Sequence, residues 1–116
     1  MLKLLESCLK FGRVVIISNA KKGWVEFSSS LMLPKVHKVI MKYITVISAR
    51  TLFEESHPDN VEKWKELTFL SLKQKEELDS VPLTNLIVIG DAEFEMAAGE
   101  ELARTIGQCV FKQIKL

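Results

Sequence analysis

The chain contains three short apolar runs in which hydrophobic residues do not alternate with polar ones. They span residues 13–18, 43–48 and 86–90, and all three are rich in valine and isoleucine. Such runs are typical of strands in a parallel sheet that helices cover on both faces. A fourth run, residues 109–114, contains a lysine and a glutamine, which predicts a strand at the edge of the sheet.

Between these runs, apolar residues recur at the spacing of an amphipathic helix. Four stripes show it: Leu2, Leu5 and Leu9; Trp24, Phe27 and Leu31; Val61, Trp64, Leu67 and Leu70; and Phe94, Ala98, Leu102 and Ile106. Pro34 ends the second of these helices and begins another. Because an apolar stripe usually faces a core, both Trp24 and Trp64 are predicted to be buried.

The order of elements is therefore α-β-α-α-β-α-β-α-β, which predicts an α/β fold. We expect a three-layer α/β/α sandwich with a mainly parallel sheet of about four strands. The 116 residues suit one domain, so residues 1–116 are taken as a single unit. Ligands of such sheets bind beyond the carboxyl ends of the strands, and candidate functional residues should follow each strand.

The composition places the chain among soluble globular proteins, with 47% hydrophobic and 27% charged residues. Sixteen basic and fifteen acidic side chains give a net charge of +1, which favours neither nucleic acid nor a membrane as partner. No apolar run approaches the roughly 20 residues of a membrane-spanning helix. Cys8 and Cys109 are isolated, so neither a metal site nor a disulfide framework is predicted, and a cytoplasmic location is expected.

Polar residues follow the first two strands. Residues 18–23 read Ser-Asn-Ala-Lys-Lys-Gly, immediately before a predicted helix. Free amides at a helix start favour anions, so Ser18 and Asn19 are candidates for binding a phosphate. The alternative is that one of them caps the helix. Arg50, after the second strand, is either a clamp for an anion or a solvated loop residue.

Three carboxylates follow the third strand at Asp91, Glu93 and Glu95. Carboxylates in a strand-to-helix turn suit magnesium, whereas the alternative is that Asp91 caps the helix. Lys63 and Lys65 begin the preceding helix, and one of them is placed to reach the same end of the sheet. A hydroxyl, cations and carboxylates at one sheet edge are what a site for phosphate and magnesium requires.

These segments together resemble the haloacid dehalogenase-like (HAD-like) superfamily of phosphohydrolases. The resemblance is to a eukaryotic branch with an Asn-Ala-x-x-Gly-Trp segment, which here occupies residues 19–24. It continues through residues 47–50, through Trp64 and Lys65, and into residues 89–95. The resemblance implies that Ser18 binds the phosphoryl group, Lys65 neutralises charge, and Asp91 holds magnesium with Glu95 as a second candidate. It assigns no general role to Asn19 or Arg50.

The chain departs from the superfamily in one essential feature. HAD enzymes use an aspartate nucleophile in an Asp-x-Asp motif, and this sequence contains no Asp-x-Asp; its first aspartate is Asp59. The resemblance implies that the missing motif lies on a central strand between the first and third strands seen here. A domain incomplete at its N-terminus is therefore expected, with weak or no Mg²⁺ binding, because Asp91 alone leaves most of the coordination to water.

Two functions remain open from the sequence. The first is a HAD-like phosphohydrolase-type domain that is inactive as given, being part of a magnesium-dependent phosphatase. The alternative is a pseudo-phosphatase, a binding module for a phosphorylated small molecule or a protein partner. Self-association through exposed strand edges is a further expectation. A receiver-like or dinucleotide-binding domain is disfavoured, because Ser18 and Asn19 stand where a receiver has an acidic pair and only Gly23 is near.

Overall fold

The structure is a computed structural model that describes residues 2–75, 85–107 and 109–116. The helices are α1 (Leu2–Phe11), α2 (Trp24–Met32), α3 (Pro34–Tyr43), α4 (Ala49–Phe53), α5 (Val61–Lys75) and α6 (Glu93–Ile106), and the strands are β1 (Val15–Ser18), β2 (Thr45–Ser48), β3 (Asn85–Gly90) and β4 (Val110–Lys115). The chain divides into unit 1 (Met1–Thr51) and unit 2 (Leu52–Leu116). Within the described ranges, no helix combines the length and apolar character needed to cross a membrane.

Unit 1 is built on the parallel pair of β1 and β2. Ser18 lies opposite Ser48 in this register, so the two strands end at the same level with their serines side by side. Helix α3 packs against both α1 and α2. Leu5, Val36 and Ile40 form the centre of the unit's core, and the half-buried residues around them are Leu2, Ile16, Val25, Ile44 and Val46.

Helix α2 turns outward the apolar stripe that its sequence predicts to be buried. The exposed fractions of Trp24, Phe27 and Leu31 are 53%, 57% and 66%. Ser29 is buried instead, with its hydroxyl 3.0 Å from Nδ1 of His37 and 3.0 Å from the carbonyl oxygen of Glu26. The prediction that Trp24 lies in the core is therefore wrong. A helical serine can donate to a carbonyl in the preceding turn, so its burial leaves no hydroxyl unpaired.

Unit 2 consists of α5 and α6 packed together, with α6 also resting on the parallel pair of β3 and β4. Trp64 is 5% exposed and its Nε1–H donates to the carbonyl of His57 at 2.7 Å, which confirms the prediction that this tryptophan is buried. Gly99 brings α6 close to β3. A Cβ at that position would come within 2.5 Å of Cγ2 of Val88, so a larger residue would push the helix away.

The described strands pair two by two rather than in one sheet of four. The prediction of an α/β chain with parallel strands is confirmed, whereas a single four-stranded sheet is not formed among the residues that the structure describes. An apolar run indicates that a strand is shielded from water, but it does not specify the neighbouring strand. Full burial is also not reached in unit 2, where one face of the sheet exposes Ile87, Ile89, Val110 and Ile114.

Candidate functional site

The segment between β1 and α2 is held in place by hydroxyl groups from two strand ends. The Ser18 hydroxyl oxygen accepts the amide of Ala20 at 3.0 Å. The Ser48 hydroxyl donates to the carbonyl of Ala20 at 2.5 Å and accepts the amide of Thr51 at 3.1 Å. Oγ1 of Thr51 in turn accepts the amide of Lys22 at 3.0 Å. These four bonds fix residues 18–23, here called the anion loop, against the end of β2.

Helix α2 begins at the end of the anion loop without a side-chain cap. Its N-cap residue is Gly23, whose φ of 91° lies in the left-handed region, and no side chain hydrogen-bonds to the first turn. The interpretation of Ser18 or Asn19 as a helix cap is therefore wrong. The first amides of a helix have no acceptor within the helix, and their partial positive charge favours an anion. Lys21 and Lys22 are both exposed at this helix start.

A cavity of about 40 Å³ lies beside the anion loop within unit 1. Its lining includes Ser18, Ser48, Lys21 and Lys22, and also Glu26 from the first turn of α2. The two lysines and the helix start favour an anion there, whereas the carboxylate of Glu26 opposes one. Two cations against one carboxylate leave the lining with an excess positive charge.

Two buried oxygens near the loop lack hydrogen-bond donors. Oδ1 of Asn19 and Oε1 of Glu26 are out of reach of solvent and accept no hydrogen bond from any described residue. Buried acceptors without a partner are rare in folded proteins, so each of these oxygens calls for an explanation.

The structure places the other unit 1 candidates around this cavity rather than in its wall. Asn19 belongs to the anion loop but is not among the cavity's lining residues. Arg50 is half-buried near the start of α4, two residues beyond Ser48, and is also outside the lining. Ser48 and Thr51 are contacts that sequence reasoning missed. A signal was present, because β1 and β2 both end in Ile-Ser, at Ser18 and Ser48.

In unit 2 the structure brings Lys65, Glu95 and Asp91 together. Nζ of Lys65 donates to Oε1 of Glu95 at 2.9 Å, with side-chain exposures of 7% and 16%. Oε2 of Glu95 accepts the amide of Asp91 at 3.1 Å. Gly90 permits this arrangement, because a Cβ at that position would lie 2.0 Å from the same carboxylate oxygen. Both oxygens of Glu95 are thus engaged by the protein itself.

The electrostatics of Glu95 follow from this position. Burial raises its pKa, but the hydrogen bond and charge of Lys65, together with the backbone of Ala92 and Asp91, lower the pKa by more. The net result is a pKa below the ordinary value of 4.5, so Glu95 is ionised at neutral pH. Lys65 therefore forms an ion pair with a carboxylate rather than with a neutral acid.

The neighbouring charged residues have other positions. Lys63 is more exposed and pairs with Glu66 at 3.5 Å, so it is Lys65 that lies beside Glu95. Glu93 pairs with Lys115 at 2.5 Å. The N-cap residue of α6 is Ala92 and no side chain caps the helix, so the interpretation of Asp91 as a cap is wrong.

The residues present fit a magnesium ion poorly. Magnesium demands about six oxygen ligands in octahedral geometry, usually one or two carboxylates together with waters and substrate phosphates. Asp91 is exposed, and Glu95, the second candidate, is already engaged by Lys65 and the Asp91 amide. Within residues 2–75, 85–107 and 109–116, no three histidine, cysteine, aspartate or glutamate residues form a group that could hold a metal.

Comparison of the chain with protein-family models, with curated proteins and with solved structures gave no match. We therefore infer function from the geometry of the anion loop and of the Lys65–Glu95 pair.

Proposed function

We propose that this chain is a HAD-like phosphohydrolase-type domain that binds a phosphorylated ligand at the anion loop. The observation that carries the proposal is the loop itself: hydroxyls from Ser18, Ser48 and Thr51 hold it at the uncapped start of α2. Lys21 and Lys22 line the adjacent cavity. A phosphoryl group is the dianion that such a combination of cations and helix amides recognises.

Lys65 is the proposed charge-neutralising residue of the same function. Its burial and its pairing with Glu95 support the assignment, because a buried ammonium is held in one position and is shielded from screening by salt. Asp91 follows β3 directly and is the residue that the HAD-like assignment proposes as metal ligand. The 116 residues contain no Asp-x-Asp motif to supply a nucleophile for hydrolysis.

The three-layer sandwich is retained as part of this proposal. In the HAD-like order, the Asp-x-Asp strand would lie between the first and third strands of this chain. Among the described residues, β1 pairs with β2 and β3 pairs with β4. These residues are expected to bind phosphorylated ligands without turning them over.

The test compares phosphate binding by the wild-type chain and by Ser18→Ala, using calorimetric titration with inorganic phosphate and small phosphate esters. We expect Ser18→Ala to weaken binding roughly tenfold to a hundredfold, the size of one hydrogen bond to a charged group. Ser30→Ala is the matched control, because its hydroxyl donates only to the carbonyl of Phe27 in the same helix. Equal affinities for all three proteins, or no binding by the wild type, would overturn the proposal.

A second candidate is a pseudo-phosphatase, a module that binds a phosphorylated ligand and needs no metal. Both carboxylate oxygens of Glu95 are hydrogen-bonded within the protein, so of the two predicted metal ligands only Asp91 has a carboxylate available for a metal. This favours a module that binds without a metal. The effect of Mg²⁺ on phosphate affinity distinguishes the phosphatase-type domain from the pseudo-phosphatase. A phosphatase-type site should bind phosphate more tightly with Mg²⁺ present, and Asp91→Asn should abolish that increase. A binding module should show the same affinity with and without Mg²⁺.

A further inference from the structure

The net charge of +1 is the sum of a positive net charge on unit 1 and a negative net charge on unit 2. Unit 1 contains nine basic and two acidic side chains, for a net charge of +7, whereas unit 2 contains seven basic and thirteen acidic side chains, for −6. At physiological salt, a charge acts over about 8 Å, so a partner responds to the local surface rather than to the sum. Unit 1 therefore presents a cationic surface that the whole-chain charge conceals.

Unit 1 also exposes an apolar stripe. Trp24, Phe27 and Leu31 lie on the face of α2 opposite the buried Ser29, and the rings of Trp24 and Phe27 are 6.1 Å apart. Exposed apolar residues in this number on one short helix indicate a contact surface rather than scattered exposure. The stripe begins directly after the exposed lysines Lys21 and Lys22.

A row of cations lies on the next helix of the same unit. Lys35, Lys38 and Lys42 recur at the spacing of one face of α3, and all three are exposed. Helices α2 and α3 pack against each other. The α2–α3 hairpin thus combines aromatic and aliphatic side chains with five exposed lysines, counting Lys21 and Lys22 at its start.

We propose that the α2–α3 hairpin binds the surface of an anionic phospholipid membrane, with Trp24, Phe27 and Leu31 entering the headgroup region and the lysines contacting lipid phosphates. Tryptophan is favoured at the boundary between headgroups and acyl chains, where its ring meets both apolar and polar surroundings. Clusters of lysine on an amphipathic helix attract anionic lipids, and buried apolar area adds to the binding. The proposal goes beyond phosphate binding and shares with it only Lys21 and Lys22.

Other occupants fit the surface less well. The apolar stripe by itself gives a second copy of the chain too little to bury, because its three partly exposed side chains amount to roughly 300–400 Å². A stable interface needs about 800 Å² from each partner. A nucleic acid duplex would satisfy the lysines, but its phosphates and sugars offer no apolar partner to Leu31 and Phe27. A lipid surface accommodates both the charges and the apolar stripe.

The test is co-sedimentation of the full chain with phosphatidylcholine vesicles that either contain or lack phosphatidylserine. We expect binding only to the vesicles with phosphatidylserine, and a blue shift in tryptophan emission from Trp24, since Trp64 is already buried. The double variant Phe27→Ser with Leu31→Ser should bind these vesicles at least roughly tenfold more weakly than the wild type. The control replaces two exposed apolar residues of unit 2, Val110→Ser with Ile114→Ser, and should bind as the wild type does.

Charge is tested in the same assay. Lys35→Gln with Lys38→Gln should weaken binding, and raised salt should reduce wild-type binding, whereas Lys112→Gln in unit 2 should have no effect. Circular dichroism of every variant checks that the fold is retained. Failure of the wild type to bind the anionic vesicles, or equal loss in the Val110 and Ile114 control, would overturn the inference.

Two further outcomes would also overturn it. One is binding of a DNA or RNA duplex without binding of vesicles, and the other is self-association that the α2 variant abolishes. The phosphate titration with Ser18→Ala is run on the same preparation. Vesicle binding that fails while phosphate binding persists rejects the membrane inference alone, and the reverse result rejects the proposed function alone.

Discussion

At the scale of single residues, the Lys65–Glu95 pair is the most constrained feature of unit 2. Each partner comes from a different helix, and Gly90 leaves the space that the carboxylate occupies. A buried ion pair adds little net stability over apolar packing, but removing one partner leaves the other charge unpaired. Variants of the two residues should therefore affect stability as well as ligand binding.

Replacement of Lys65 by methionine should destabilise the fold by roughly 2–3 kcal/mol, because it leaves the partly buried Glu95 carboxylate without its ion-pair partner. The control is Lys63→Met, which removes the more exposed pair with Glu66 and should cost at most about 1 kcal/mol. Urea denaturation measures both values. Equal effects of the two substitutions would contradict the structural role given to Lys65.

Lowering the pH should reduce the stability of the fold by protonating Glu95. Its pKa in the folded state lies below the ordinary 4.5, so its contribution to stability is present above about pH 4.5 and is lost as pH falls through the lowered value. We expect the free energy of unfolding to fall more steeply on acidification in the wild type than in Glu95→Gln, which cannot titrate there. Parallel pH profiles for the two proteins would rule out this role for the carboxylate.

At the scale of elements, the anion loop depends on β1, β2 and the start of α4. Ser48 and Thr51 contact it from residues about thirty positions further along the chain. Because the two parallel strands end in register, their terminal hydroxyls meet at one edge and hold the loop without a helix cap. The conformation of Gly23 then directs the chain into α2.

Gly23→Ala should destabilise the chain by roughly 1 kcal/mol, because a left-handed φ is costly for a residue with a Cβ. Gly12→Ala is the matched control: a Cβ there meets nothing within 4 Å and the residue has no positive φ, so the change should stay within about 0.5 kcal/mol of zero. Thermal or urea unfolding gives both values. A neutral Gly23→Ala would show that the loop adopts another conformation in solution.

At the scale of the whole molecule, charge is segregated along the chain, with +7 on unit 1 and −6 on unit 2. A net charge of +1 and a pI of about 7.8 describe the sum alone. Association rates and non-specific binding respond to local fields, so this protein should behave as both a cation and an anion.

At pH 7 and low salt, we expect the chain to be retained on both cation-exchange and anion-exchange resins. Lys35→Glu with Lys38→Glu should lower the salt needed for elution from the cation exchanger and leave elution from the anion exchanger nearly unchanged. Elution volumes measure both. If the wild type is retained on neither resin, the positive charge of unit 1 and the negative charge of unit 2 do not act separately, and the prediction is wrong.

Particular elements show where sequence reasoning succeeded. Each strand lies within two residues of its apolar run, and Trp64 is buried as its stripe predicts. The same reasoning failed for Trp24, because periodicity groups residues on a face but does not say which face packs inward. Ser29 takes the inner position by bonding to His37 and to its own helix.

The sequence by itself therefore determined the kind and position of every described element except the short helix α4, since residue periodicity is a local property. It also placed Ser18 and Asp91 at strand ends, because strand direction follows from chain order. Only the tertiary structure decided that the strands pair two by two, that Lys65 rather than Lys63 meets Glu95, and that Ser48 and Thr51 hold the anion loop. Those contacts join residues about thirty positions apart, and local pattern carries no information on which distant residues meet.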